Sequence, residues 1–173
     1  MNDTYTSGKL TRSHLRHFID STFGGATAAW FILGKDIEDM SMELNPSTTT
    51  TKNILDETSV TDEGFEPSMT ADPYYADPDD AIYPKLKEIA FERKKGDECK
   101  TKYLEVIIDK TEGPFDAWVE DCIVKPTAYG GSQGGINIPF TVTPCGNRIK
   151  GTAAVSGGTV TFTPSSSVTN HGD

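Results

Sequence analysis

Residues 77–98, DPDDAIYPKLKEIAFERKKGDE, carry the one apolar stripe in this chain that recurs with a helical period. Ile82, Leu86, Ile89 and Ala90 fall at i, i+4, i+7 and i+8, which places them on one face of a helix predicted over 79–95. Pro84 fits only in the first turn, where its missing N–H costs no intrahelical bond. Asp77, Asp79 and Asp80 then stand at the positive end of the helix dipole. Arg93, Lys94 and Lys95 crowd the negative end, with Gly96 as a left-handed stop. A single helix cannot bury its own stripe. Almost everything else reads as short strands, so the helix is expected to lie against a sheet.

Composition narrows the function classes. At 173 residues the chain is long for one small sandwich and short for two independent cores, so one domain with long loops is the expectation. A formal net charge of −10 argues against binding nucleic acid or anionic membrane through a basic face, because phosphate affinity comes chiefly from Lys and Arg releasing counterions. No apolar run approaches the roughly 20 residues of a membrane span, and MNDTYTSGKLTR lacks the apolar core of a signal peptide. The chain therefore reads as cytosolic, without a membrane partner. Cys99, Cys122 and Cys145 are odd in number, widely spaced and without a CxxC pair, so reduced structural thiols are expected.

In chain order, residues 1–26 read as a polar N-terminal arm. AAWFILGK, 28–35, is a continuous apolar run bounded by Gly34 and predicts a buried strand. DIEDMSMEL follows, with Met40, Met42 and Leu44 alternating with Asp39, Ser41 and Glu43 as a half-buried strand. Residues 45–64, NPSTTTTKNILDETSVTDEG, form a long polar loop with only Ile54, Leu55 and Val60 as apolar anchors. A structureless loop of that length calls for a function or a partner. After the helix, KYLEVIIDK alternates Leu104, Val106 and Ile108 against Tyr103, Glu105 and Asp109. DAWVEDCIVKP and GINIPFTVTP are the next strands, joined by Gly-rich 130–135. Gly146 and Asn147 are expected to turn the chain again, into a last weak hairpin around Gly157 and Gly158. The domain proper spans 27–155, and 156–173 are the C-terminal hairpin and tail.

The runs WFILGKDIEDMSMELNP, EPSMTADPYYADPDDAIYPKLKEIAFER and AWVEDCIVKPTAYGGSQGGINIPFTV, in that order, resemble the major tail tube proteins of long-tailed bacteriophages over about residues 28–155. The resemblance implies a mainly β fold, a small β-barrel or β-sandwich with one flanking α-helix. It further implies homohexameric rings stacked into a tube whose lumen conducts DNA during ejection. The implied partners are other copies of the chain, with tail sheath, tape measure and tail terminator or baseplate proteins. DNA would pass without tight binding. The implied location is the virion tail, with assembly in the host cytoplasm. In such a tube Ile54, Leu55 and Val60 are the candidates for contact between rings. Asp39, Glu43, Glu105 and Asp109 are the candidates for an acidic lumen, and Ile82, Leu86, Ile89 and Ala90 pack the helix.

No catalytic, metal or cofactor site is expected. The carboxylates of Asp72, Asp77, Asp79 and Asp80 miss the spacing of a calcium loop and are explained by the start of a helix. GGSQGG lacks the Lys followed by Ser or Thr, and the helix, that a phosphate loop requires. His14, His17 and His171 lie in the polar ends, remote from the strands that hold Cys122 and Cys145, so no nucleophile and base are paired. Two alternatives to a structural subunit stay open. One is a monomeric β-sandwich that binds glycans on Trp30, Trp118, Tyr74, Tyr75 and Tyr83. The other is a small hydrolase built on the Asp cluster.

Overall fold

The computed structural model describes residues 3–165, and its architecture is mainly β with one helix. The strands are β1 Leu15–Asp20, β2 Trp30–Ile32, β3 Met42–Glu43, β4 Pro46–Lys52, β5 Thr58–Phe65, β6 Ser68–Ala71, β7 Lys100–Ile107, β8 Phe115–Pro126, β9 Phe140–Ser156 and β10 Thr159–Pro164. The α-helix, α1, is Tyr83–Glu92. Eight strands form one antiparallel sheet of order β2-β1-β7-β8-β9-β6-β3, with β10 added to the far half of β9. Strands β4 and β5 pair only with each other.

The two faces of the sheet bury different clusters. On one face Phe18, Leu104, Val106, Phe115, Ala117, Val119 and Ala153 meet Trp30 and Ile32 of β2 and Val160 and Phe162 of β10. The sheet therefore curls until β10 packs on β2 around an apolar interior. It remains open in hydrogen bonding, since β2 and β10 do not pair, so it is not a closed barrel. On the other face Ile19, Tyr103, Cys122, Val124, Phe140 and Val142 are covered by Leu33, Met40, Tyr74, Ile138 and the helix. Ile82 and Leu86 are fully buried there and Ile89 almost so, with Ala90 packed at the margin. Full burial of such a side chain contributes about 1.5–3 kcal/mol, so the stripe secures the helix.

The helix is shorter than 79–95 and its ends differ from the expected ones. Pro84 lies in the first turn as its chemistry requires, but Asp77–Ile82 form turns ahead of the helix. Arg93, with φ 54° and ψ 45°, makes the left-handed stop itself and donates its N–H to the Ile89 carbonyl. Gly96 instead opens a 3-10 turn, Gly96–Cys99. The cation at the helix C-terminus comes from the sheet, where Lys125 Nζ donates to the Lys94 carbonyl at 2.8 Å.

Three further expectations are corrected. Residues 15–20, assigned to a polar arm, form β1, a strand inside the sheet with five of its six residues buried. Its polar side chains are tolerated because they are paired: Arg16 with Asp3 at 2.8 Å, and Asp20 with the Thr22 and Ala29 N–H groups. Gly146 and Asn147 do not reverse the chain; they sit at φ 118° and 55° inside β9, where the pairing with β8 shifts register. An extra residue at such a bulge bends and twists the strand without ending it. Residues 36–44 supply only the two-residue β3, because only Met42 and Glu43 find a partner strand in β6, and of the expected apolar face Met40 is buried while Leu44 is exposed. The last hairpin closes at Gly157–Gly158, while residues 166–173, including His171, lie outside the described residues.

Candidate functional site

The 45–64 segment is a hairpin arm. Seven β4 residues pair antiparallel with β5 from Pro46↔Phe65 to Lys52↔Thr58, so at about 3.4 Å per residue the arm reaches roughly 23 Å. Its strands are Thr-rich, which gives β propensity without an apolar face, and no residue of β4 or β5 is buried. The root is tied to the sheet by the Glu66 N–H on the Leu44 carbonyl and by Asn45 Nδ2 on the Glu66 carbonyl.

Asn53 builds the tip. Its Oδ1 accepts the N–H groups of Leu55 and Glu57 at 2.9 and 3.0 Å, and its carbonyl accepts the Asp56 N–H. With these turn bonds made inside the loop, the side chains of Ile54 and Leu55 are left facing outward. Ile54 is 100% exposed, Leu55 73% and Val60 66%. Two adjacent large aliphatics held bare at the end of a polar arm have no role in the monomer's own packing.

A second polar constellation lies on the helix-bearing face of the sheet, beyond the apolar cluster. Tyr103 Oη donates to Glu105 Oε2 at 2.7 Å, so its oxygen must accept from His17 Nδ1 at 2.6 Å, which fixes the neutral Nδ1–H tautomer. Among the described residues His17 Nε2 is buried without a partner, and burial lowers the His17 pKa to about 4, with Arg12 adding to the shift. Arg148, placed just after the β9 bulge, bridges Glu105 and Glu120 and stands over the Trp118 ring at 5.7 Å. The network crosses β1, β7, β8 and β9 and ties four strands together. It has no open nucleophile: Tyr103 and Cys122 are both held protonated, chiefly by burial.

The four candidate lumen acids do not form one cluster. Glu105 on β7 is ion-paired to Arg148, and Glu43 lies on β3 at the sheet edge, with three strands between them. Asp39 is exposed in the connection before β3, and Asp109 is exposed just past β7. The other acid cluster is taken up locally: Asp77 accepts from Lys35 and the Asp79 N–H, Asp80 from Tyr74, and Asp72 from Asn137. Among the described residues no three His, Cys, Asp or Glu groups converge as a metal site. Gly130–Gly135 folds on itself ahead of β9, and a Cβ on Gly131 would come within 2.3 Å of the Gly135 carbonyl oxygen. The five candidate platform aromatics are dispersed: Trp30 packs inside the curl, Tyr74 against Phe140, Tyr83 against the helix-side cluster, and Trp118 beside Arg148. Of the five, Tyr75 alone is strongly exposed.

His17, Tyr103 and Arg148 carry no motif, and their meeting depends on strand register. The arm had a readable signal in its Thr runs, which favour strands, flanking an Asn-containing turn.

No protein-family model matches the chain, and no curated protein sequence matches it. Among solved structures it is similar to the anti-feeding prophage cap, a tube-terminating cap, with TM-score 0.50 and 12% identity, over 88% of this chain and 97% of that one. It is also similar to the sheath/tube terminator of the extracellular contractile injection system PVC in its extended state, with TM-score 0.49 and 9% identity, over 84% of this chain and 99% of that one. At such identities the likeness is one of fold.

Proposed function

We propose that the protein is a structural subunit of a phage-tail-type tube, working by assembly into homohexameric rings. The observation that carries this reading is the bare-tipped hairpin arm, projecting from a fold like that of a tube-terminating cap. Its mechanism is geometric. Neighbouring copies cover edges and apolar tips that are liabilities in a monomer, and ring closure sets the bore. Ile54, Leu55 and Val60 are the contacts between copies. Each aliphatic side chain buried on docking contributes about 1.5–3 kcal/mol before ordering costs.

In a stack of such rings DNA passes through the lumen without tight binding, with sheath, tape measure and baseplate proteins as neighbours and the virion tail as the location. Repulsion of DNA rests on the net charge of −10 and the exposed Asp39, Glu43 and Asp109, while Glu105 is neutralised by Arg148. The cap-like fold favours a second form of the same reading, a single ring that closes the end of a tube.

Light scattering on a sizing column and negative-stain images test both. Rods of stacked rings support a tube subunit, and discrete rings support a terminal one. A monodisperse monomer at every concentration, above all one that binds glycans, overturns the assembly reading.

A further inference from the structure

One pocket of the described structure has no use in the monomer. It lies beneath the Leu33–Met40 connection, measures about 440 Å³, and is walled by Leu15, Ile32, Leu33, Ile37 and Met40. A core cavity large enough for a small aromatic molecule is on the order of 150 Å³, so this space admits two aliphatic side chains. Its floor holds His17, but the imidazole Nε2 is shielded from solvent, so the pocket offers no open ligand atom there. A mostly aliphatic wall with its charged groups at the mouth suits an aliphatic side-chain knob carried on a charged segment.

We infer that this pocket is the socket for the Ile54–Leu55 tip of a second copy of the chain. The inference rests on the assembly reading above and names the surface that receives the arm.

Two observations select that occupant. The first is placement. The pocket is lined by β1, β2 and the connection that runs on to Met40, two residues before β3, so it lies near the arm's own root, while the paired strands hold the bare Ile54–Leu55 tip roughly 23 Å away from that root. A knob held that far from the hole at its own root fits the hole of another copy, a heterologous contact that repeats from copy to copy.

The second is charge. Pro46–Phe65 holds one lysine, Lys52, against Asp56, Glu57, Asp62 and Glu63. The pocket mouth holds Arg12, Arg16 and Lys35 against Glu38. Arg16 pairs with Asp3 and Lys35 with Asp77, whereas Arg12 meets the carbonyl oxygens of Leu15 and Met40 and, among the described residues, no carboxylate. An acidic arm is therefore steered toward a mouth where one guanidinium is open to a carboxylate.

The test is a cross-link between two differently tagged chains in a Cys145→Ser background, one carrying Leu55→Cys and the other Ile37→Cys. Under mild oxidation of the mixed assembly the expected product is a heterodimer joined 55 to 37. A 55-to-55 product alone, or assemblies that form without a 55-to-37 bond, overturns the socket while leaving the assembly reading intact. A wild-type chain that never associates overturns both. As a second measurement independent of the thiols, the Ile54→Ala/Leu55→Ala double variant is expected to unfold at the wild-type temperature yet associate at least tenfold more weakly. Unchanged association overturns the inference.

Discussion

The curled sheet and the hairpin arm are both antiparallel β structure, yet they are held together by different means. In the sheet β1, β7, β8 and β9 all have buried side chains, with Phe18 and Phe140 wholly enclosed and residues such as Ile19 and Phe18 serving opposite clusters from adjacent positions. The arm has a backbone ladder along its whole length, interrupted by one register shift at Ser47/Thr48, and no buried side chain. An isolated two-stranded hairpin is marginal in water, so backbone pairing alone does not account for an arm of this length. The difference teaches that the sheet is held by burial, and that on the proposed reading the arm is held by association with a second copy.

Substitutions that break this division come in descending order of effect. Phe140→Ala, in the fully buried helix-side cluster, is expected to cost about 3–5 kcal/mol in a denaturant titration, and Leu86→Ala about 2–5. A cost below 1 kcal/mol at both would mean that the sheet is no better packed than the arm.

Protonation of His17 comes next. Its folded pKa of about 4 lies below the ordinary 6.5, so the unfolded chain binds the proton more readily. Stability is full above pH 6.5, falls as the pH drops toward 4, and levels off below that. The loss from this one group is about 3 kcal/mol, since each tenfold difference in proton affinity between the two states is worth roughly 1.4 kcal/mol. Urea titrations of wild type and His17→Phe across pH 4–8 measure it, and an equal slope in both would remove His17 as the cause.

Arg148→Ala leaves Glu105 and Glu120 facing each other without their bridge and is expected to cost about 1–3 kcal/mol. The smallest effect belongs to the arm. Replacing 48–62 with a short Gly/Ser linker should change the stability of the sheet by no more than about 0.5 kcal/mol, as for Lys87→Ala on the exposed helix face. The linker variant should still show native circular dichroism but form no rings or tubes under the electron microscope.

The same contrast explains what could be read from the residues in advance. The helix was legible because Ile82, Leu86 and Ile89 are apolar at helical spacing and the other faces are not. β7 was legible because Leu104, Val106 and Ile108 alternate, although Tyr103 on the opposite face is also buried. β1 was not, because Arg16, His17 and Asp20 are buried through pairings supplied by Asp3, by Tyr103 far along the chain, and by the backbone of the turn that follows the strand. The continuity of β9 was hidden for a related reason. Gly146 and Asn147 are ordinary turn residues, and only the facing β8 makes them a bulge. For the arm, Ile54 and Leu55 stood out in polar surroundings and the Thr runs favour strands, but no hydrophobic period marks them, since residues that never face a core leave none. Of the candidate lumen acids, the pairing of Glu105 was not legible, because residue type alone does not reveal that Arg148 faces it.

The unbroken run of β9 through its bulge has a mechanical consequence. One strand pairs with β6 near Phe140–Val142, with β8 along most of its length, and with β10 at its far half. Tension directed along β9 is shared by the whole β8–β9 ladder, whereas tension entering at the arm root first meets the two-residue β3–β6 and three-residue β6–β9 pairings. Bonds loaded together in shear yield at far higher force than bonds peeled one at a time. A turn at Gly146 would have split the ladder into two short zippers; the bulge keeps it a single tendon from the arm's margin to the opposite end of the sheet.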